Sequence, residues 1–369
     1  MCADRQRLRR ECPQNVLRES RVRHVAFPSV FQLGDTVTVQ QRATLDDVAR
    51  LAGVSPKTVS RVYSHRDKVA LPTVERVLSA AKRLRFRPNS IARNLRGGGS
   101  TTVGFIMGEL LNPFYYTVAA GIESELSASG FTLIVATTDD SAEGEERVAD
   151  TLLAQRVSAL MLIPVGEDQS YLEGERQLGT PVIAIDRPAR NLVADSVVLE
   201  NRHGAFEATA SLISYGHRRI AYVCNPASTY TQAERVRGYR EALAVAGVSD
   251  SQRWERLLDD PSVAPEEVIR ELVSRPDAPT AIVAGNNRCC IGALRAIREM
   301  DTPPALIGFD DFDTADILGV SVISHDPLEM GRRAARLTLE RMGDPTGFTT
   351  QVELPTRLVP RGSGERPPL

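Results

Sequence analysis

Lys57 and Arg61 are cations one helical turn apart, in a stretch where Val59 and Val62 take the inward positions. That spacing leaves Pro56, Lys57, Ser60 and Arg61 facing outward near the N-terminal half of a helix, where side chains reach base edges once the helix lies in the major groove of DNA. A merely solvated surface is the plainer alternative, and the surrounding charge argues against it. Residues 42–98 hold 13 Lys and Arg against four Asp and Glu, and all three lysines of the protein, Lys57, Lys68 and Lys82, fall here. The 369-residue chain has a net charge of only −2, yet residues 1–98 sum to +12 and residues 99–369 to −14. One end suits a polyanion and the rest does not.

Short helices must position these cations. Thr44 with Asp47 three residues on is a capping box, followed by Leu45, Val48, Ala49 and Leu51 at helical spacing, and Gly53 ends that helix. Ser55 caps a second helix with Pro56 at its first position and Thr58 in its first turn. Two helices joined by Gly-Val-Ser make a helix-turn-helix, and a third, Val74 to Leu84, supplies the remaining core. The domain spans residues 42–87. Before it, residues 1–41 are Arg-rich and lack apolar periodicity, which reads as a flexible arm that touches phosphates, as an extension without a role, or as a start site placed too early. After it, residues 88–100 combine a segment too short to hold an isolated helix with Gly97-Gly98-Gly99, so it is expected to order only against a partner.

From residue 101 to 362 the pattern changes. Apolar runs Val103–Met107, Phe131–Ala136, Ala159–Ile163, Val182–Ile185, Ile220–Val223, Ala281–Ala284 and Leu306–Phe309 alternate with helical segments, the mark of parallel strands in doubly wound sheets. The length suits two α/β lobes with a small-molecule site at the strands' carboxyl ends, in the cleft between them. Residues 363–369 read as a C-terminal tail. The five cysteines, Cys2, Cys12, Cys224, Cys289 and Cys290, show neither C-x-x-C nor zinc-ligand spacing, and Cys289-Cys290 read as packing residues. The absence of a membrane-length apolar run and of a secretory core leads to the expectation of a soluble cytoplasmic protein with no membrane partner. No cofactor is expected. Asp310, Asp311 and Asp313 alone make a weak metal motif, and a dinucleotide fingerprint, phosphate loop, G-x-S-x-G and H-E-x-x-H are all missing, which argues against an enzyme.

The segments "ATLDDVARLAGVSPKTVSRV", "RPNSIARNLRGG", "NPFYYTVAAGIE", "GHRRIAYV" and "GFDDF" resemble the lac repressor (LacI/GalR) family of bacterial transcription regulators over residues 43 to about 362. The resemblance implies an all-α helix-turn-helix domain, a hinge helix and a two-lobed, periplasmic-binding-protein-like core. It implies a homodimer or tetramer on a pseudo-palindromic DNA operator, acting as a repressor, with a sugar or related metabolite as allosteric effector. Thr44, Ser55, Pro56, Lys57, Thr58, Ser60, Arg61 and Asn89 then face DNA, Ala92 lines the minor groove and Leu95 wedges a base step. Phe114, Arg187, Tyr230, Arg235, Asn287 and Phe312 are the corresponding effector candidates, each with a bland alternative as a loop or core residue. Asn287 departs from the aspartate of most sugar-binding members, which makes a plain monosaccharide less certain. A solute-binding receptor on the same core is the competing function, and it leaves residues 43–96 without a use.

Overall fold

The computed structural model describes residues 43–87, 100–226, 228–249, 251–258, 260 and 263–368. The expected arm and nearly all of the expected hinge, including Asn89, Ala92 and Leu95, lie outside these residues. The chain divides into two units, residues 1–89 and 90–369.

The first unit begins with α1 (Leu45–Ala52), where the Thr44 side chain accepts from the Asp47 N–H and Asp47 returns the bond to the Thr44 backbone. Gly53 closes this helix at φ 64°, a left-handed turn that costs glycine no Cβ clash. Ser55 caps α2 (Pro56–Ser64) through the Thr58 N–H. The third helix, α3, runs Leu71–Arg83 rather than from Val74, because Pro72 falls in the first turn, where its missing N–H is not needed. Val48, Ala49, Val59, Val62, Val74, Val77 and Ala81 make a dry core.

The second unit holds two sheets of six strands each. In the first lobe the strands are β1 (Thr102–Met107), β2 (Thr132–Thr137), β3 (Leu160–Leu162), β4 (Val182–Asp186), β5 (Asp195–Leu199) and β11 (Gln351–Leu354), ordered β11-β5-β4-β3-β1-β2 and all parallel. In the second they are β6 (Ile220–Cys224), β7 (Glu255–Leu257), β8 (Ala281–Ala284), β9 (Ala305–Phe309), β10 (Ser321–Ser324) and β12 (Arg357–Val359), ordered β12-β10-β9-β8-β6-β7. Only β12 runs antiparallel in this set. Seven of these strands coincide with the apolar runs. The other five are β5 and β10, which are buried throughout but begin with polar residues, and β7, β11 and β12, which hold exposed or half-buried residues at sheet edges.

Helices cover the sheets: in the first lobe α4 (Pro113–Ala128), α5 (Ala142–Ala154), α6 (Glu173–Gln177) and α11 (Pro327–Gly343), in the second α7 (Asn201–Ser214), α8 (Tyr230–Val245), α9 (Pro265–Val273) and α10 (Asn287–Ile297). The chain crosses between lobes after β5, after β10 and after β11. α4 and α11 meet at backbone distance. A Cβ on Gly121 would lie 2.1 Å from the Leu328 carbonyl oxygen, and one on Gly331 would lie 2.1 Å from that of Val118.

The core also extends past residue 362. Ser363 Oγ donates to the Leu306 carbonyl (2.6 Å) and accepts from the Ser321 N–H (2.8 Å), and His217 Nε2 meets the Arg366 carbonyl at 2.7 Å. The expected tail is therefore part of the second lobe, because its Ser363 hydroxyl and Arg366 carbonyl satisfy polar groups at the starts of β9 and β10 and just before β6.

Candidate functional site

In the helical unit, burial of Val59 and Val62 turns the opposite face of α2 to solvent. Lys57 and Arg61 are exposed, and among the described residues neither has an ion-pair partner. Pro56 is exposed beside them and Ser60 is half-buried. The other polar candidates already serve the fold: Thr44 Oγ1 donates to Asp47 Oδ2 (2.7 Å), and the Ser55 and Thr58 hydroxyls bond each other at 2.9 Å. Lys57 and Arg61 are thus available for phosphate or base contact, as are Arg76, Lys82 and Arg83 on α3, which are exposed and also lack an ion pair among the described residues.

In the core unit, the strand ends of the two lobes face one another. Asp186 ends β4 and Asp310 ends β9, and both adopt left-handed backbone, φ 70° and 69°. That conformation is costly for a non-glycine residue, although aspartate tolerates it better than most, and its recurrence at equivalent ends of both sheets marks a site. Asp186 Oδ2 accepts from Arg187 Nε (2.9 Å) and Nη2 (2.7 Å). Burial opposes the Arg187 charge, but the Asp186 carboxylate outweighs it and raises the guanidinium pKa.

Arg235 on α8 is 4% exposed and largely satisfied within the protein. Its Nε donates to Asn201 Oδ1 and its Nη1 to the Gly285 carbonyl, both at 2.7 Å, while Nη2 stands 3.6 Å from Asp310 Oδ1. The guanidinium lies 3.6 Å over the Phe309 ring. For Asp310, burial would raise the pKa, yet Arg235, a hydrogen bond from His325 and the Asn287 N–H hold it below the usual carboxylate range. His325 Nε2 is 3.1 Å from Asp310 Oδ1 and its side chain is 2% exposed, while Nδ1 is buried without a partner. Its ring meets Phe114 edge to face at 5.7 Å.

The structure thus brings Phe114, Arg235 and Asn287 around Asp310 and His325. Arg187 and Tyr230 line an adjoining hollow of about 70 Å³ with Gly166, Arg190 and Ser228. Phe312 is a correction. The turn after Asp311 carries it away from the cleft, onto the outer cluster with Ala315 and Val320 and into a groove beside Ile291 and Leu318. Sequence reasoning missed Asp186 and His325, whereas the loop Asn112-Pro113-Phe114-Tyr115 was expected to form a wall of the cleft; an apolar run ending in aspartate, repeated at Ile185-Asp186 and Phe309-Asp310, was the available signal for Asp186.

Two weaker motifs also find places. Asp311 forms paired 2.7 Å bonds to Arg361, and Cys289 and Cys290 are fully buried, which pushes both thiols up to about 12. Among the described residues no helix is long and apolar enough to cross a membrane.

Residues 44–89 match the family described as bacterial regulatory proteins, lacI family, and residues 100–328 match periplasmic binding proteins and sugar binding domain of LacI family. The ribose operon repressor of Escherichia coli strain K12 is 30% identical over 328 residues, 87% of this chain and 99% of that protein. The HTH-type transcriptional regulator CelR of Thermobifida fusca is 32% identical over 338 residues, 88% of this chain and 99% of its own length. The solved lac repressor dimer bound to operator and the anti-inducer ONPF is 26% identical with a TM-score of 0.77, over 88% of this chain and 99% of that one.

Proposed function

Because this chain belongs to the LacI family of bacterial regulatory proteins, we propose that it is a repressor whose grip on an operator is set by a small polyhydroxylated effector in the core cleft. The observation that carries the reading is the pair of exposed cations Lys57 and Arg61 on α2 of a helix-turn-helix, without an ion pair among the described residues. Family members are regulators, and the ribose and CelR relatives motivate a sugar or sugar derivative. The chemistry at the cleft suits one. Two carboxylates, an arginine fork, an amide and an aromatic ring can address vicinal hydroxyls and one face of a sugar.

The operator-bound form is a homodimer in this reading. The outer groove lined by Ile291, Leu294, Phe312 and Leu318 has a volume of about 460 Å³, and Leu318 is 59% exposed, so a second copy is its occupant. Effector binding favours one arrangement of the lobes and thereby changes how the two DNA-binding units are presented; roughly 1 to 3 kcal/mol of coupling would alter operator affinity 5- to 150-fold. Asn89, Ala92 and Leu95 enter this proposal through the resemblance alone.

Fluorescence anisotropy on duplexes from upstream of the protein's own gene, titrated with salt, tests the reading. Tight binding that weakens steeply with salt is expected, and failure to bind any duplex at low ionic strength would sink it. Leu318→Asp should shift the protein toward monomer in analytical ultracentrifugation and weaken operator binding with it. A variant that stays dimeric would exclude this face.

A further inference from the structure

Among the described residues, two hydrogen bonds join the lobes across the cleft, and each uses only protein groups. Asn287 Nδ2 at the start of α10 donates to Asn112 Oδ1 before α4 at 3.3 Å. Arg190 Nη2, beyond β4, donates to the Ser228 carbonyl ahead of α8 at 2.7 Å. On the first sheet these contacts leave from the ends of β1 and β4, with β3 between them, so they pin the cleft at two separated points.

Each contact is held on a fixed base. Asn112 Oδ1 also accepts from the Phe114 N–H at 3.1 Å, which fixes the amide's orientation and leaves an acceptor facing the second lobe. Residue 287 must therefore be a donor, and asparagine supplies what the family's aspartate would not. Asn287 is anchored on its own side by its backbone N–H to Asp310. Behind Arg190 stands a buried network: its backbone N–H donates to Gln169 Oε1 (2.7 Å), and Gln169 Nε2 donates to Glu145 Oε1 (3.0 Å). Glu145 is 1% exposed and also accepts from the Tyr171 hydroxyl and the Val165 N–H. A carboxylate with that many donors holds the loop rigid, and Arg190 projects from it toward the other lobe, with Glu167 at 3.4 Å steadying the charge.

We propose that Asn287 and Arg190 are latch residues that keep the lobes closed in the resting protein, so that an effector enters only after both bonds break and its apparent affinity is reduced by the scarcity of the open form. This deepens, and rests on, the reading of the cleft as the effector site. The adjoining hollow beside Arg190, about 70 Å³, is well below the roughly 300 to 1,000 Å³ of ordinary small-molecule sites, so an effector seated there would have to move the wall that Arg190 holds.

Hydrogen–deuterium exchange of the full-length protein tests the latches without any effector. Segments 110–116, 164–171 and 187–191 should be protected in the native protein. Exchange there should quicken about five-fold in Asn287→Ala and about ten-fold or more in Arg190→Ala, the ordinary difference between a neutral and a charge-assisted bond. Asn287→Asp should exceed Asn287→Ala, because a carboxylate would face the Asn112 oxygen and Asp310, and Arg190→Lys should restore part of the protection. Segments in α1 to α3 serve as the folding control and should not change. Cleft segments that exchange as fast in the native protein as in the variants, or variants indistinguishable from it, would overturn the latches. Failure of the effector reading would appear differently: no sugar would shift the melting temperature of native protein or variants, whatever the exchange data showed.

Discussion

Arg61 and Arg235 carry the same guanidinium into opposite circumstances. Arg61 stands in solvent on α2 with no ion-pair partner among the described residues, whereas Arg235 is bonded to Asn201 and Gly285, paired with Asp310 and stacked on Phe309. In the function proposed above, Arg61 can be left unsatisfied because DNA would supply the countercharge and released ions would drive association. Arg235, buried at the cleft, has to be solvated by the protein whatever enters there, because an unpaired charge at that depth would destabilise the fold. The two regions therefore should fail differently when their arginines are removed.

The largest effect should come from the core. Arg235→Ala takes the guanidinium countercharge from buried Asp310, which keeps only His325 and the Asn287 N–H, and removes the donor to Asn201 Oδ1; it is expected to cost about 3 to 5 kcal/mol in denaturant unfolding, with any effector-induced thermal shift lost as well. An unchanged midpoint would erase the distinction drawn between the two arginines. On the helical side, Arg61→Ala should leave the unfolding midpoint alone while weakening specific DNA binding by about 1 to 3 kcal/mol, with little loss on random duplex. Equal losses on both DNAs would move Arg61 from base reading to phosphate contact. Thr44→Ala sharpens the contrast within the head, because that hydroxyl serves the capping box: about 1 kcal/mol of stability of the helical unit should go, as read by its helical circular dichroism on melting.

The smallest effect is a pH dependence seated in the core. Burial lowers the His217 pKa below the ordinary 6.5, with the bond to the Arg366 carbonyl opposing. The unfolded chain then binds the proton more readily than the folded one, so this stabilisation is present above the unfolded value and is lost as the pH falls through 6.5 toward the folded pKa. Melting temperature should decline over that interval, and less so in His217→Gln. An identical decline in both proteins would assign the dependence to other groups.

The helical unit was legible because its signals are local: Thr44, Asp47, Gly53, Ser55 and Pro56 each act within a turn of their own position. The cores of both sheets were legible for a similar reason, since strands covered on both faces read as continuous apolar runs. What escaped depends on distant chain. β11 and β12 exist because the final segment returns to the edge of each sheet, and His325 acquires its neighbours only because β10 pairs with β9, which sets Asp310 beside it, and because Phe114 of the first lobe comes to meet its ring. Phe312 misled because the turn after Asp311, which the pattern of a strand followed by aspartates does not disclose, sends the ring outward. The tail escaped because Ser363 and Gly364 resemble any polar terminus until Ser321 is placed beside them.

The order in which the chain returns to the first lobe has a consequence for synthesis. α11 and β11 belong to that lobe but are translated after almost all of the second, and β12 completes the second lobe later still. On the ribosome, the residues that form the core of the DNA-binding unit are all present by Ala81, while both halves of the sensor stay unfinished until the last stretch emerges. A message cut short before Pro327 would encode a complete helical unit joined to two unfinished lobes, lacking Ser363 and Arg366 from the groove proposed to hold the second copy.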